Sequence, residues 1–368
     1  MQFKEDFEEA KERMSAWWDG ETIDRPFIAY TYQRPDVPTG IGGPDNWILA
    51  RKNDAIKEAV DYVEKFLPTQ FYGGEAFPNY HPNYGPGVLA CVLGVEPKYT
   101  HRTRTTWFLQ PMPVEEVMPF LEEVKLDNNN EWYVRLKKIT EYAAKRAKGK
   151  YQVAVTDLGG ALDVLASILD PKDLYLAMRK NPEVVDAARA IIMEIWLQVY
   201  DDLQTIIESY GHGCNGWMNV WCPKRWYPLQ CDVSYGISPK MFRRFVLPDL
   251  VAQAESMDYA IYHLDGVGQL PFLDDLLAEP SITGIQWVPG AGKAPMCSEE
   301  WMPVYEKIQA AGKNIVQSAS PDLALNMYEK FDPKGMLIRV GYGAKIWADF
   351  SLPTWMGGMG GIDDEDDD

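Results

Sequence analysis

A histidine and an aspartate stand two residues apart in YHLDGVG, at the end of an apolar run and just before two glycines. In a strand, residues i and i+2 share a face, so His263 and Asp265 project to one side. Gly266 and Gly268 let the backbone turn sharply beside a ligand. An imidazole and a carboxylate facing one cavity can bind a metal, or act as a base and its orienting group. The same pair can also cap a strand and the helix that follows it. A second candidate is NGWMNVWCPKRWYPLQCDVSYGISP, whose density of large rings suits a pocket wall better than an idle loop. It offers Trp217, Asn219, Trp221, Tyr227 and Tyr235 as substrate contacts. Cys222, Cys231 and Asp232 in the same stretch could be ligands or a nucleophile, although a free cysteine is also a small buried hydrophobe. Glu75, in YGGEAFPNYHPNYGPG, follows a short β-rich run and would face the mouth of a barrel or simply solvent; His81 lies six residues on. Asp157 closes YQVAVTDLGG, and Gln286 and Trp287 close ITGIQWVPGAG, with Trp287 equally suited to the core. Tyr30 and Arg34 stand in YTYQRP near the start of the chain.

These residues need a frame. Short β-rich runs are expected between Pro26 and Pro35 and at 70–72, 151–156, 216–221, 259–263, 283–288, 314–318 and 336–341. Helical patterns lie between most of them, at 54–66, 132–147, 171–209, 239–257, 269–277, 299–311 and 321–330. Residues 3–18 carry Phe3, Phe7, Ala10, Met14 and Trp17 near a 3.6-residue period, an amphipathic helix lying on a body. Apolar strands alternating with helices indicate a parallel sheet covered by helices, and eight such units indicate a (β/α)8 TIM barrel, with an open doubly wound sheet as the alternative. The glycine-rich TGIGGPDN opens no helix of the dinucleotide-binding type. The expected organisation is an N-terminal helical extension over 1–26, one α/β barrel over 27–352, and a Gly-rich, acidic tail over 353–368.

Thirty-six basic against 54 acidic residues give a net charge of −18, with no basic stripe, which argues against a nucleic-acid partner. No uncharged apolar run reaches the roughly 18 residues of a membrane span, and the charged N-terminus has no signal-peptide pattern, so a cytoplasmic protein is expected. Five cysteines without C-x-x-C spacing support neither a disulfide framework nor a structural zinc knuckle.

The chain resembles the uroporphyrinogen decarboxylase superfamily along most of its length: RPFIAYTYQRP, DLGGALDVLASIL, NPEVV, CDVSYGISPKMFRRFVLPDL and YHLDGVG carry the likeness. The most specific part is S-P-x-x-F-x-x-F-x-x-P, met at Ser238, Pro239, Phe242, Phe245 and Pro248. The resemblance implies a (β/α)8 barrel and one of two chemistries: cofactor-free decarboxylation, or zinc-assisted methyl transfer to or from a corrinoid or thiol. In the methyltransferase branch the motif reads His-x-Cys-Gly, so His263 resembles the first zinc ligand while Asp265 stands where a thiolate would be. Oxygen in place of sulfur makes a harder site. The branch's later cysteine has no counterpart in NIVQSASPD. For decarboxylation of a porphyrinogen, Arg34 alone represents an arginine-rich motif and Glu75 the catalytic aspartate. A chain this acidic would also repel a polyanion.

The leading expectation is therefore a barrel methyltransferase. A divalent metal, zinc above others, is held by His263 and Asp265 and completed by Cys231 or Glu75. A small methylated substrate lies among Tyr30, Trp217, Asn219, Trp221, Tyr227, Tyr235, Gln286 and Trp287, and a separate corrinoid protein accepts the methyl group. The alternative is a metal-free decarboxylase or lyase, in which Arg34 or Arg225 grips a carboxylate and Glu75, His263 or Asp265 handles the proton. A homodimer is compatible with both.

Overall fold

The computed structural model describes residues 1–37, 55–100, 105–108 and 111–340. In chain order the strands are β1 (Phe27–Gln33), β2 (Gln70–Gly74), β3 (Asn79–Tyr80), β4 (Pro97–Thr100), β5 (Thr105–Phe108), β6 (Gln152–Val153), β7 (Trp226–Leu229), β8 (Tyr259–Asp265), β9 (Gly284–Val288), β10 (Asn314–Ala319) and β11 (Met336–Val340). Seven of them form one sheet in the order β2-β1-β11-β10-β9-β8-β7, so the first long strand pairs with the last. Every step is parallel except β1 with β2. The central strands β9, β10 and β11 are largely buried on both faces, as befits a sheet lined by helices on one side and its own concave interior on the other.

Of the expected (β/α)8 barrel, the structure shows an α/β fold with a parallel-dominated seven-stranded sheet, whose ladder stays open between β2 and β7 among the described residues. Three local causes are visible. β2 runs antiparallel to β1. β3 and β6 pair only with each other within the named strands, although Val155 N donates to Asn215 O at 3.1 Å. The expected strand over 216–221 is instead a turn between Cys214 and Cys222, with Asn219 left-handed at φ 53; the strand comes later, as β7. That strand carries Pro228, which has no N–H to donate and so suits an edge.

The helical expectations hold with breaks at prolines. The stretch 171–209 forms two helices, Pro171–Lys180 and Pro182–Ser209, because Asn181 before Pro182 leaves the helical region at φ −134, ψ 49. Likewise 239–257 divides into Pro239–Phe245 and Leu247–Glu255. No helix among the described residues is long and apolar enough to cross a membrane.

Helix α1 (Phe7–Trp18) buries Phe7, Ala10, Met14, Trp17 and Trp18. It covers the N-terminal ends of the strands: the Trp18 ring packs on Trp226 and Tyr259, the first residues of β7 and β8. Asn314 Nδ2, at the start of β10, donates to Trp17 O at 3.1 Å. With that end sealed, the opposite, C-terminal ends are left for chemistry, where parallel α/β folds place it. The barrel boundary at 352 and the acidic tail lie outside the described residues.

Candidate metal centre

His263 and Asp265 lie on β8 and share a face, as their spacing dictates. Asp232 joins them from the one-turn 3-10 helix Asp232–Gly236 that follows β7. One ligand atom from each of the three falls within 4.8 Å of the others.

The group is held from behind. Gln269, fully buried, accepts from Asp265 N at 3.2 Å and from Tyr262 Oη at 3.0 Å, and its amide donates to Cys231 O at 2.9 Å. One side chain thus ties the end of β8 to the turn that carries Asp232. Asp163, near the start of the helix Ala161–Ile168, accepts from Asp232 N at 3.1 Å and Val233 N at 2.8 Å. On the next strand, Gln286 sits opposite His263 in the ladder, with its Oε1 2.7 Å from His263 Nδ1. An amide oxygen only accepts, so Nδ1 carries the proton and Nε2 keeps the lone pair a metal needs. The Trp217 ring stands edge-on to the imidazole, 5.1 Å between centroids. The Tyr235 ring covers Gly266 and Gly268: a Cβ on either would lie 2.8 Å from it, and Gly266 is left-handed at φ 83.

The charges in this corner are uncompensated. Asp232 is exposed at its outer edge; desolvation of its carboxyl pushes it up, His263 pulls it down, and Asp265 adds a smaller push upward. Asp157 rises to about 7, chiefly because it is desolvated and secondly because Asp232 is near, against a hydrogen bond from Gly159 N. Asp163 also rises to about 7, for the same two reasons. No lysine or arginine is among the leading influences on these three carboxyls. Carboxylates crowded without a counter-ion must take up protons or a cation. Two carboxylates and one neutral imidazole make a hard-to-borderline donor set that fits a divalent ion such as zinc.

Several expected residues lie elsewhere. Cys231 is not in the group: its thiol is buried and pushed well up by desolvation, and Asp232 beside it takes the third position. Glu75 does not face the mouth. It is 1% exposed, accepts from Ile28 N at 2.9 Å and pairs with Arg25 at 2.9 Å, a structural clamp at the base of β1. Arg34 is exposed and paired with Asp36 at 2.8 Å, and Arg225 is bound to Glu208 and Asp201. Trp221, Tyr227 and Trp287 are core: Trp221 O accepts from Trp18, Tyr227 Oη accepts from Leu158 N, and the Trp287 ring packs on Trp301. Trp217, Tyr235 and Gln286 do border the metal group. Tyr30 and Asn219 line a separate cavity of about 120 Å³ with Arg339. Asp163, Gln269 and Arg339 escaped the sequence reading. Arg339 had a signal, being the one charge inside the apolar strand MLIRV.

Seen whole, the chain is a parallel-dominated α/β protein with a carboxylate–imidazole cluster at its strand ends. Among solved structures, a methyltransferase from Methanosarcina mazei shares this fold, with a TM-score of 0.59 and 14% identity over 90% of this chain and 93% of that one. No family model and no curated protein matches the sequence.

Proposed function

We propose that this protein is a metal-dependent methyltransferase of the (β/α)8 type. It holds one divalent ion, zinc by preference, at Asp232, His263 and Asp265, and passes the methyl group of a small methylated substrate to a corrinoid protein or a thiol. The observation that carries the reading is the Asp232–His263–Asp265 group with its imidazole oriented by Gln286. The shared fold with a methyltransferase gives the reaction class its support. In this reading β3, β6 and the Asn215 segment complete a barrel wall that the hydrogen-bond ladder leaves interrupted.

When bound, the ion supplies Lewis acidity toward the heteroatom that carries the methyl group. The chain's own residues do the rest. Gln286 fixes the ring and tautomer of His263. Trp217 walls the imidazole, and Tyr235, 56% exposed, roofs the glycines beside Asp265. Asp157, a desolvated carboxyl that feels the charge of Asp232 and accepts from Gly159 N, stands in the same corner. The decarboxylase alternative is weakened because Arg34 and Arg225 are both committed to surface ion pairs.

Metal analysis tests the proposal. Protein incubated with zinc and desalted is expected to retain one ion per chain, and His263→Ala to retain none. Wild-type protein that retains no zinc, cobalt, manganese or iron ends the proposal. Loss of label from methyl-labelled amines, ethers or thioethers, with reduced cobalamin as acceptor, then identifies the donor class.

A further inference from the structure

A second charged group faces the same interior, on the far wall. Arg339 lies in β11, opposite Ala29 of β1 and Ser318 of β10. Continuing the β9–β10 register from Ile315↔Ile285 brings Ser318 level with Val288, which pairs with Asp265. In-register residues of neighbouring parallel strands project to one face, so Arg339 and Asp265 look into the same concavity at the same height. They are three strand spacings apart, about 14 Å along the curved sheet.

Unlike Arg25, Arg34, Arg189 and Arg225, Arg339 has no carboxylate partner among the described residues. Its Nε is buried and makes no hydrogen bond, and desolvation alone lowers its pKa to about 10. Arg339 as a whole is half-buried, and a guanidinium partly withdrawn from water without a carboxylate is costly and is kept where something binds it. Beside it lies the cavity of about 120 Å³, walled by Ala29, Tyr30, Thr31, Phe77 and Asn219, room for roughly four waters at about 30 Å³ each. Asn219 commits its Oδ1 to Asn79 Nδ2 at 2.7 Å, which leaves its own amide hydrogens as donors.

We propose that Arg339, with Asn219 beside it, is the anchor for a single carboxylate of the substrate, so that the enzyme acts on small methylated molecules bearing one carboxylate. The fork of the guanidinium matches a carboxylate's two oxygens. The Asp157, Asp163, Asp232 and Asp265 cluster on the opposite wall disfavours a dianion such as a phosphate monoester. The inference leans on the metal-site reading only for where the methyl end lies.

The test is thermal unfolding in acetate, phosphate or chloride at matched ionic strength, on wild type, Arg339→Met, Arg339→Lys and His263→Ala. Acetate is expected to raise the wild-type Tm above its value in chloride. Arg339→Met should raise the half-saturating acetate concentration about tenfold or more, the loss of a hydrogen bond to a charged group, and Arg339→Lys by less. With no carboxylate present, Arg339→Met should unfold at or above the wild-type temperature, since an unpaired charge has been removed. A lower Tm for Arg339→Met without acetate would mark a structural arginine and overturn the proposal. So would an acetate response that survives Arg339→Met, or a larger response to phosphate than to acetate. His263→Ala should keep the acetate response, so a protein that binds carboxylate through Arg339 but no metal would sink the metal reading alone.

Discussion

Gln286 is the sharpest probe of the proposed metal centre, because it touches a proposed ligand, His263, without being one. Its Oε1 lies 2.7 Å from His263 Nδ1, and the residue is 8% exposed, so water cannot readily replace it. Gln286→Leu keeps the volume and removes the acceptor. The imidazole is then free to rotate or to change tautomer, and losing such a partner typically costs 10- to 100-fold in metal affinity. At about 1.4 kcal/mol per decade that is about 1.4–2.8 kcal/mol. Gln286→Glu acts in the opposite sense: a carboxylate behind the ring makes Nε2 a stronger donor, and affinity should rise. Cobalt titration against a chromophoric chelator measures both. If Gln286→Leu binds cobalt as tightly as wild type, His263 does not ligate through a ring held by this amide, and the orientation argument fails.

Two further outcomes follow from the same geometry. Asp157 has a folded-state pKa of about 7 against 3.8 unfolded, so the folded form binds the extra proton between those values and its stability falls as pH rises through 7. In metal-free protein Asp157→Asn should therefore gain stability over wild type at pH 8, by at most about 4 kcal/mol, and nothing at pH 4; a pH-independent difference in urea unfolding would contradict this. Glu75→Gln should destabilise by about 3–5 kcal/mol, since it strands the half-buried Arg25, while zinc affinity stays as in wild type; a fall in affinity would return Glu75 to the metal site.

The chemistry was most legible where a regular period held. His263 and Asp265 share a face because a strand alternates, and that needs nothing beyond their spacing. The third member of the candidate group, Asp232, fell one residue from Cys231 because residues 232–236 coil as a 3-10 turn, where alternation no longer applies. Glu75 was recognisable as a carboxylate near a strand end, but its partner Arg25 is 50 positions away and only folding joins them. The stretch 216–221 has the aromatic and β-branched content of a strand, yet Asn219 takes a left-handed conformation and the ladder passes to β7. Arg339 was overlooked because an arginine in an apolar strand reads as an interruption until the cavity beside it is seen.

The pairing of β1 with β11 gives the chamber two walls of different origin. Every member of the carboxylate–imidazole group, and the amide that orients its imidazole, comes from one continuous stretch from Asp232 to Gln286. The cavity beside Arg339, by contrast, is stitched from stretches far apart in the chain, Ala29–Thr31, Ala76–Phe77, Asn219 and Arg339–Val340. Substitutions around Arg339 therefore alter what that cavity admits without touching the stretch that builds the carboxylate–imidazole corner.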